Sequence, residues 1–256
     1  MRRLYKYRAI NSFTEQIIRD NKLYFANAEE LNDPFDCRPV MTFTGIEEDY
    51  IQYLNNYHRR EGSPELSTAE QDKVRRNCRV IYDALEAANK ELIQNCGVCS
   101  MSELNNCTMM YSHYADSHRG LCLEFSIPED NNIGELRPVD YMDTFPEINQ
   151  RDLPNAFDPQ TDASVIEVWA EKLFTRTYFS KASAWAYERE CRWFRRSPGL
   201  VEVPPNLLTG AILGCRISRE DEKSVLKMLE HRASYVNVYK AIGNYTAYQM
   251  QIAPLQ

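Results

Sequence analysis

The chain has 256 residues, with 12 prolines, nine glycines, eight cysteines and a formal charge of −7. That length buries a sizeable core without disulfides or a structural metal, and it fits one domain over 1–256, carrying an insertion, better than two separate ones. No apolar leader and no apolar run of about 18 residues occurs, which reads as a cytoplasmic protein with no membrane partner. The acidity argues against a surface given over to nucleic acid.

The first predicted element is a strand over about 4–9, "LYKYRA", with Leu4, Lys6 and Arg8 on one side and Tyr5, Tyr7 and Ala9 on the other. Strand propensity accounts for the tyrosines but assigns the two cations no partner. Asn11 or Ser12 can cap a short helix over 13–20, with Glu15 in capping-box position relative to Ser12. "KLYFA" reads as a second strand, and "NAEELNDPFDC" as a turn-rich loop around Asn32, Asp33 and Pro34.

Residues 47–94 differ in kind. They read as two polar helices broken at "EGSPELS", with Val74, Cys78, Ile81, Leu85, Ala88 and Leu92 spaced to bury one face, so this stretch is expected to be a helical insertion. "GVCSMS" then reads as a strand containing Cys96-x-x-Cys99 at its edge. No second pair stands at zinc-ribbon spacing, so free thiols are expected.

A short helix over "TMMYSHYA" and a strand over "RGLCLEFSI" follow, then an acidic excursion with one strand near "ELRPVDY" and a helix over about 163–175. The last third alternates strands ("ECRWFRR", "GAILGCR", "YVNVYKA", "YTAYQMQI") with one helix that Ser218 can cap. Many short strands with segregated helices indicate an α+β fold with a mixed, mostly antiparallel sheet. No glycine-rich phosphate loop is present.

Charge is unevenly placed. Residues 129–171 hold eleven acidic side chains against Arg137 and Arg151, whereas residues 176–196 hold six basic ones against Glu188 and Glu190. A basic segment in an acidic chain suits a small anionic ligand such as a nucleotide, and it suits a solvated charged face equally well.

Within it, "WAYERECRWFRR" places Glu188, Glu190, Arg192 and Phe194 on one face if the strand begins near Glu188, with the carboxylates roughly 7 Å apart. Such carboxylates can bond sugar hydroxyls and steady an oxocarbenium ion. The plain alternative is that Glu190 simply pairs with Arg192. "YSHYADSHRGLCLEF" gathers His113, Asp116 and His118, whose spacing matches no metal motif, so structural support ranks before substrate contact and metal.

Taken in order, "LYKYRAI", "LYFANAEELNDPFD", "VCSMSE", "YSHYADSHRGLCLEF", "FSKASAWAYERECR" and "ILGCRIS" resemble an uncharacterised bacterial family known only as a domain of unknown function. A more distant similarity is to ADP-ribosyltransferases, including bacterial toxins that modify nucleic acid. That resemblance implies a split sheet around a cleft that takes NAD as substrate, with no metal. It implies that Arg8 meets the ribose or phosphate, Tyr24 stacks on nicotinamide, Glu190 with its companion Glu188 drives transfer, Lys181 and Arg192 hold the pyrophosphate, and Asn32 and His113 shape the rim.

The chain departs from that pattern at F-S-K-A-S and at Cys191-Arg192-Trp193-Phe194 after the glutamate. The expected activity is cleavage of nicotinamide from NAD and transfer of ADP-ribose to a macromolecular acceptor, protein or nucleic acid, in a toxin or phage-defence setting. Glu190→Gln is then expected to abolish turnover and leave the fold intact. Two rivals are a metal-dependent hydrolase or nuclease using His113, Asp116 and His118, and a module that binds a nucleotide without turnover.

Overall fold

A computed structural model describes residues 1–42, 46–149, 163–244, 246 and 249–255. In chain order the elements are β1 (Arg2–Arg8), α1 (Ser12–Asp20), β2 (Lys22–Phe25), β3 (Val40–Thr42), α2 (Ile46–Arg60), α3 (Thr68–Asn95), β4 (Gly97–Ser102), α4 (Thr108–Tyr114), β5 (Leu121–Ile127) and β6 (Glu135–Pro138). There follow β7 (Asp140–Met142), β8 (Glu147–Asn149), α5 (Ala163–Tyr178), β9 (Ser180–Ala182), β10 (Glu190–Arg195), β11 (Gly199–Glu202), β12 (Leu208–Leu213), α6 (Arg219–Glu230), β13 (Asn237–Gly243) and β14 (Met250–Pro254). They fall into two compact units, one built from 1–34, 95–143 and 181–256, the other from 35–94 and 144–180.

The first unit centres on an eight-stranded sheet in the order β14-β13-β12-β5-β1-β4-β10-β6. Its strand pairs are antiparallel except for β12 with β13, so the fold is α+β with a mostly antiparallel sheet. Register assigns the faces. Leu4, Lys6 and Arg8 stand opposite Phe125, Leu123 and Leu121, while Tyr5 and Tyr7 stand opposite Glu124 and Cys122.

The face bearing Leu4 holds the larger core, in which Leu121, Leu123, Phe125, Met101 and Trp193 pack with Ile17 and Ile18 of α1 and with Val225 and Met228 of α6. Fully burying each such side chain contributes about 1.5–3 kcal/mol, so this face dominates the apolar stabilisation. The other face carries Tyr5, Tyr7, Cys122 and Ile212 under Met110 and Tyr111 of α4. Local signals set the helix ends: Asn11 accepts from Thr14 N at 3.2 Å, and Ser218 accepts from Asp221 N at 3.0 Å.

Among the described residues β1 and β4 are paired only at Tyr5 and Ser102. Further along β4, Val98 exchanges backbone bonds with Ala26, at 2.9 and 2.7 Å, and the Lys6 ammonium takes the Ser100 carbonyl at 2.9 Å. Lys6 therefore satisfies backbone that the β1–β4 ladder leaves open. The small sheet of β2 and β11 buries Leu23 and Phe25 and leaves Tyr24 exposed.

In the second unit β3 and β8 pair in parallel, and Arg75 on α3 bonds Glu48 on α2. The helices expected as an insertion over 47–94 lie in this unit, to which 144–180 also contributes. Of the predicted apolar row on α3, Cys78 is buried and Val74 half-buried, while Ile81, Leu85, Ala88 and Leu92 lie outside the described side chains. The strand expected over "ELRPVDY" is two, β6 and β7, separated at Val139, whose N–H donates to Glu190 O. The strand expected over "YTAYQMQI" is described from Met250, and Tyr245, Ala247 and Tyr248 lie outside the described residues, as does 150–162 of the acidic excursion.

Candidate functional site

The strand bearing the second glutamate begins at Glu190, not at Glu188. Residues 183–188 form a 3-10 turn that Arg189 closes with a left-handed backbone, φ 46°. The expected picture of two carboxylates on one strand face is thus corrected: Glu188 ends a turn and Glu190 opens a strand. They nevertheless converge, because Lys181 Nζ donates to Glu188 Oε2 at 2.6 Å and to Glu190 Oε2 at 2.9 Å.

Arg192, two residues along the same strand face, donates Nε to Glu190 Oε1 at 2.9 Å. All four side chains are buried, Arg192 completely. Two negative and two positive charges cancel within this cluster, which is the only way so many charges survive out of water. Burial pushes the Glu190 carboxyl upward, but Arg192 and Lys181 outweigh it and hold it well below the usual carboxylate range. Burial alone would depress Lys181, yet Glu190 and Glu188 raise it above the ordinary lysine value.

The sequence offers Lys181 and Arg192 as pyrophosphate ligands; here both are engaged with carboxylates of their own chain. Arg189 is likewise bonded to Glu103 at 3.1 Å, so much of the basic segment is neutralised internally.

Towards solvent the cluster is continued by aromatic side chains. Tyr114 of α4 donates its hydroxyl to Glu188 Oε1 at 2.7 Å and accepts from Asn32 Nδ2 at 3.1 Å. Trp185 donates Nε1 to the buried Asp33 at 2.7 Å, and the Lys181 ammonium stands 5.1 Å from the indole centroid. Tyr187 bridges outward, its ring 6.1 Å from Trp185 and 6.3 Å from His113. Tyr114, Trp185 and Tyr187 are half-buried, and Asn32 and His113 are exposed. Burial and then the bond to Glu188 raise the Tyr114 hydroxyl above its ordinary value, so it stays protonated and remains a donor.

Of the residues expected to act together, the structure gathers Glu188, Glu190, Lys181, Arg192, Asn32 and His113 on one face of the sheet. It leaves out Arg8 and Tyr24. Arg8 faces the larger core with Leu121 and Leu4, the side opposite to Tyr5, Ser102 and Glu190, which lie in one row across the sheet. Its Nε is buried without a hydrogen-bond partner among the described residues, and burial lowers its pKa. Tyr24 stands on the outer side of β2 and donates to Glu30 at 2.8 Å. Trp185, Tyr187, Tyr114 and Asp33 are the members that sequence reasoning did not assign, although W-A-Y-E and S-H-Y lie in the motifs it singled out.

The metal reading finds no support in the geometry. Asp116 is closed onto Arg119 at 2.9 Å, His118 onto Ser112 at 2.9 Å, and no group of three or more metal-binding side chains occurs among the described residues. Cys96 and Cys99 are buried free thiols. No described helix is long and apolar enough to cross a membrane.

No curated protein and no solved structure matches the chain. One family does. Residues 110–193, the stretch holding His113, Tyr114, Lys181, Trp185, Tyr187, Glu188, Glu190 and Arg192 but neither Arg8 nor Tyr24, match the family described as "Protein of unknown function (DUF2971)".

Proposed function

We propose that the aromatic rim over the Glu188 cluster binds a nucleotide, with the base stacked on Trp185 or Tyr187 and sugar hydroxyls reading Asn32 and Tyr114. The observation that carries this reading is that Trp185 and Tyr114, both half-exposed, are locked from behind by Asp33 and Glu188. A ring whose orientation is already fixed loses little freedom when a ligand stacks on it, and base stacking on such a side chain contributes about 1–3 kcal/mol. The cluster beneath is electrically balanced, so its role is to hold the platform rigid.

The test is titration of the protein with ATP, ADP, AMP and NAD, followed by intrinsic tryptophan fluorescence and calorimetry. Saturable binding of at least one of them, lost in Trp185→Ala, supports the reading; no binding by any of the four overturns it.

A second reading is the NAD-cleaving transferase, favoured by the convergence of Glu188 and Glu190 on one ammonium. Glu188 then becomes the carboxylate nearer the ligand, through Tyr114, and Arg8 has no part. Release of nicotinamide from NAD, abolished in Glu188→Gln, would favour it over simple binding.

A further inference from the structure

We propose that Ser112 and His118 form a second chemical site, a nucleophilic serine with its own base, which accepts acyl groups from activated esters. Neither residue has a part in the nucleotide reading. Ser112 is exposed on α4, His118 lies on the turn that follows, and Oγ is 2.9 Å from Nε2.

The turn is strained. Asp116, Ser117 and His118 are all left-handed, with φ of 46°, 52° and 70°. Non-glycine residues visit that region singly, at about 1–3 kcal/mol each, and a run of them persists only where packing dictates it. Backbone bonds dictate it here: Ser117 N to Ser112 O, His118 N to Tyr111 O, Gly120 N to Ala115 O and Arg216 N to His118 O. Gly214 is required as well, since a Cβ there would collide with the His118 carbonyl. The effect of this scaffold is to fold an imidazole back over a helix hydroxyl.

The imidazole stacks on Tyr111, with centroids 5.9 Å apart and planes 12° apart, which fixes its orientation. Its Nδ1 is buried with no partner among the described residues, so no carboxylate selects the tautomer, and the form with a bare Nε2 is the one that takes the serine proton. Burial, and then Arg216, hold His118 below its ordinary pKa, which keeps the ring neutral and basic near pH 7. The other charges nearby, Asp116 and Arg119, are closed on each other at 2.9 Å. Arg216 is exposed and has no ion pair among the described residues, so an anionic group on the ester finds a cation beside the dyad.

In the reaction Ser112 Oγ bonds to the acyl carbon and its proton passes to Nε2. The ester C–O bond breaks, and the leaving alcohol takes that proton. Water, with His118 again as base, then hydrolyses the acyl-serine.

The test uses an alkyl fluorophosphonate, which forms a P–O bond to an activated serine as the P–F bond breaks and fluoride leaves. We expect an adduct mapped to Ser112 by peptide mass spectrometry and absent from Ser112→Ala. It should form about 10²–10⁴-fold more slowly in His118→Asn, a variant chosen because asparagine tolerates the left-handed backbone and checked for folding by circular dichroism. The wild-type rate should rise through a pKa below about 6.5 and level off above it. Labelling no faster at Ser112 than at its exposed neighbour Ser117, or unaffected by a folded His118→Asn, overturns the proposal. Should His118→Asn not fold, p-nitrophenyl acetate decides: a burst of nitrophenol lost in Ser112→Ala supports the dyad, and no burst overturns it.

Discussion

Glu188 and Glu190 are bound to the same ammonium, that of Lys181, at 2.6 and 2.9 Å, although one ends a 3-10 turn and the other begins a strand. The left-handed Arg189 between them makes this convergence, since an extended residue there would continue the strand backwards through Glu188. Both carboxylates are buried, so their first effect is structural.

Glu190→Gln should therefore destabilise the fold, contrary to what the E-x-E pattern alone suggests. The change leaves Lys181 and Arg192 with one negative charge too few, and removing one partner of a buried ion pair typically costs about 3–5 kcal/mol. A clear drop in the urea midpoint is the expected result. An unchanged midpoint would mean that Glu190 is solvated and available to a ligand.

The same residue sets an acid limit. Because its folded pKa is depressed, Glu190 contributes stability above the unfolded carboxylate value of about 4.3, and loses it as pH falls below that value towards the folded one. Wild-type stability should fall more steeply than that of Glu190→Gln below about pH 4. Parallel curves in denaturant melts from pH 6 to 2.5 would remove Glu190 from the account.

Arg8→Met and Arg192→Met should behave differently. Arg192 neutralises Glu190, so its loss should cost about 3–5 kcal/mol. Arg8 forms no hydrogen bond or ion pair among the described residues, so its exchange for an apolar side chain removes a desolvated, unpaired charge and should leave stability unchanged or raise it. Equal losses in thermal melts would show that Arg8 has an anionic partner in solution.

Gly120→Ala should destabilise the first unit. A Cβ at this position falls well inside contact distance of the Arg8 carbonyl oxygen, which cannot retreat without disturbing the pairing of Arg8 with Leu121. Overpacking against backbone costs about 1–3 kcal/mol, read as a lowered midpoint in urea.

Tyr114→Phe separates the rim from the cluster. It removes the donor to the buried Glu188 carboxylate and the acceptor for Asn32, at a cost of about 1.5–3 kcal/mol in stability. On the nucleotide reading it should also weaken binding roughly tenfold, the equivalent of one hydrogen bond. Unaltered affinity in a folded Tyr114→Phe would place the ligand elsewhere.

Periodicity and capping alone determined the α+β class, the strand at the start, the cap at Ser218 and the break between the two polar helices, because those features depend on neighbours within a few residues; they left the first cap open between Asn11 and Ser12, and the structure gives it to Asn11. The same patterning placed Lys6 and Arg8 on one side of β1. Only the tertiary structure decided which side faces which partner. Strand order and register set Arg8 against the larger core and Glu190 on the opposite face, and a single left-handed residue, Arg189, made the strand begin at Glu190 and left Glu188 in the turn before it. The bonds that build the rim, Asp33 to Trp185 and Tyr114 to Glu188, span 152 and 74 residues, and no local pattern encodes a contact that depends on how distant strands pair.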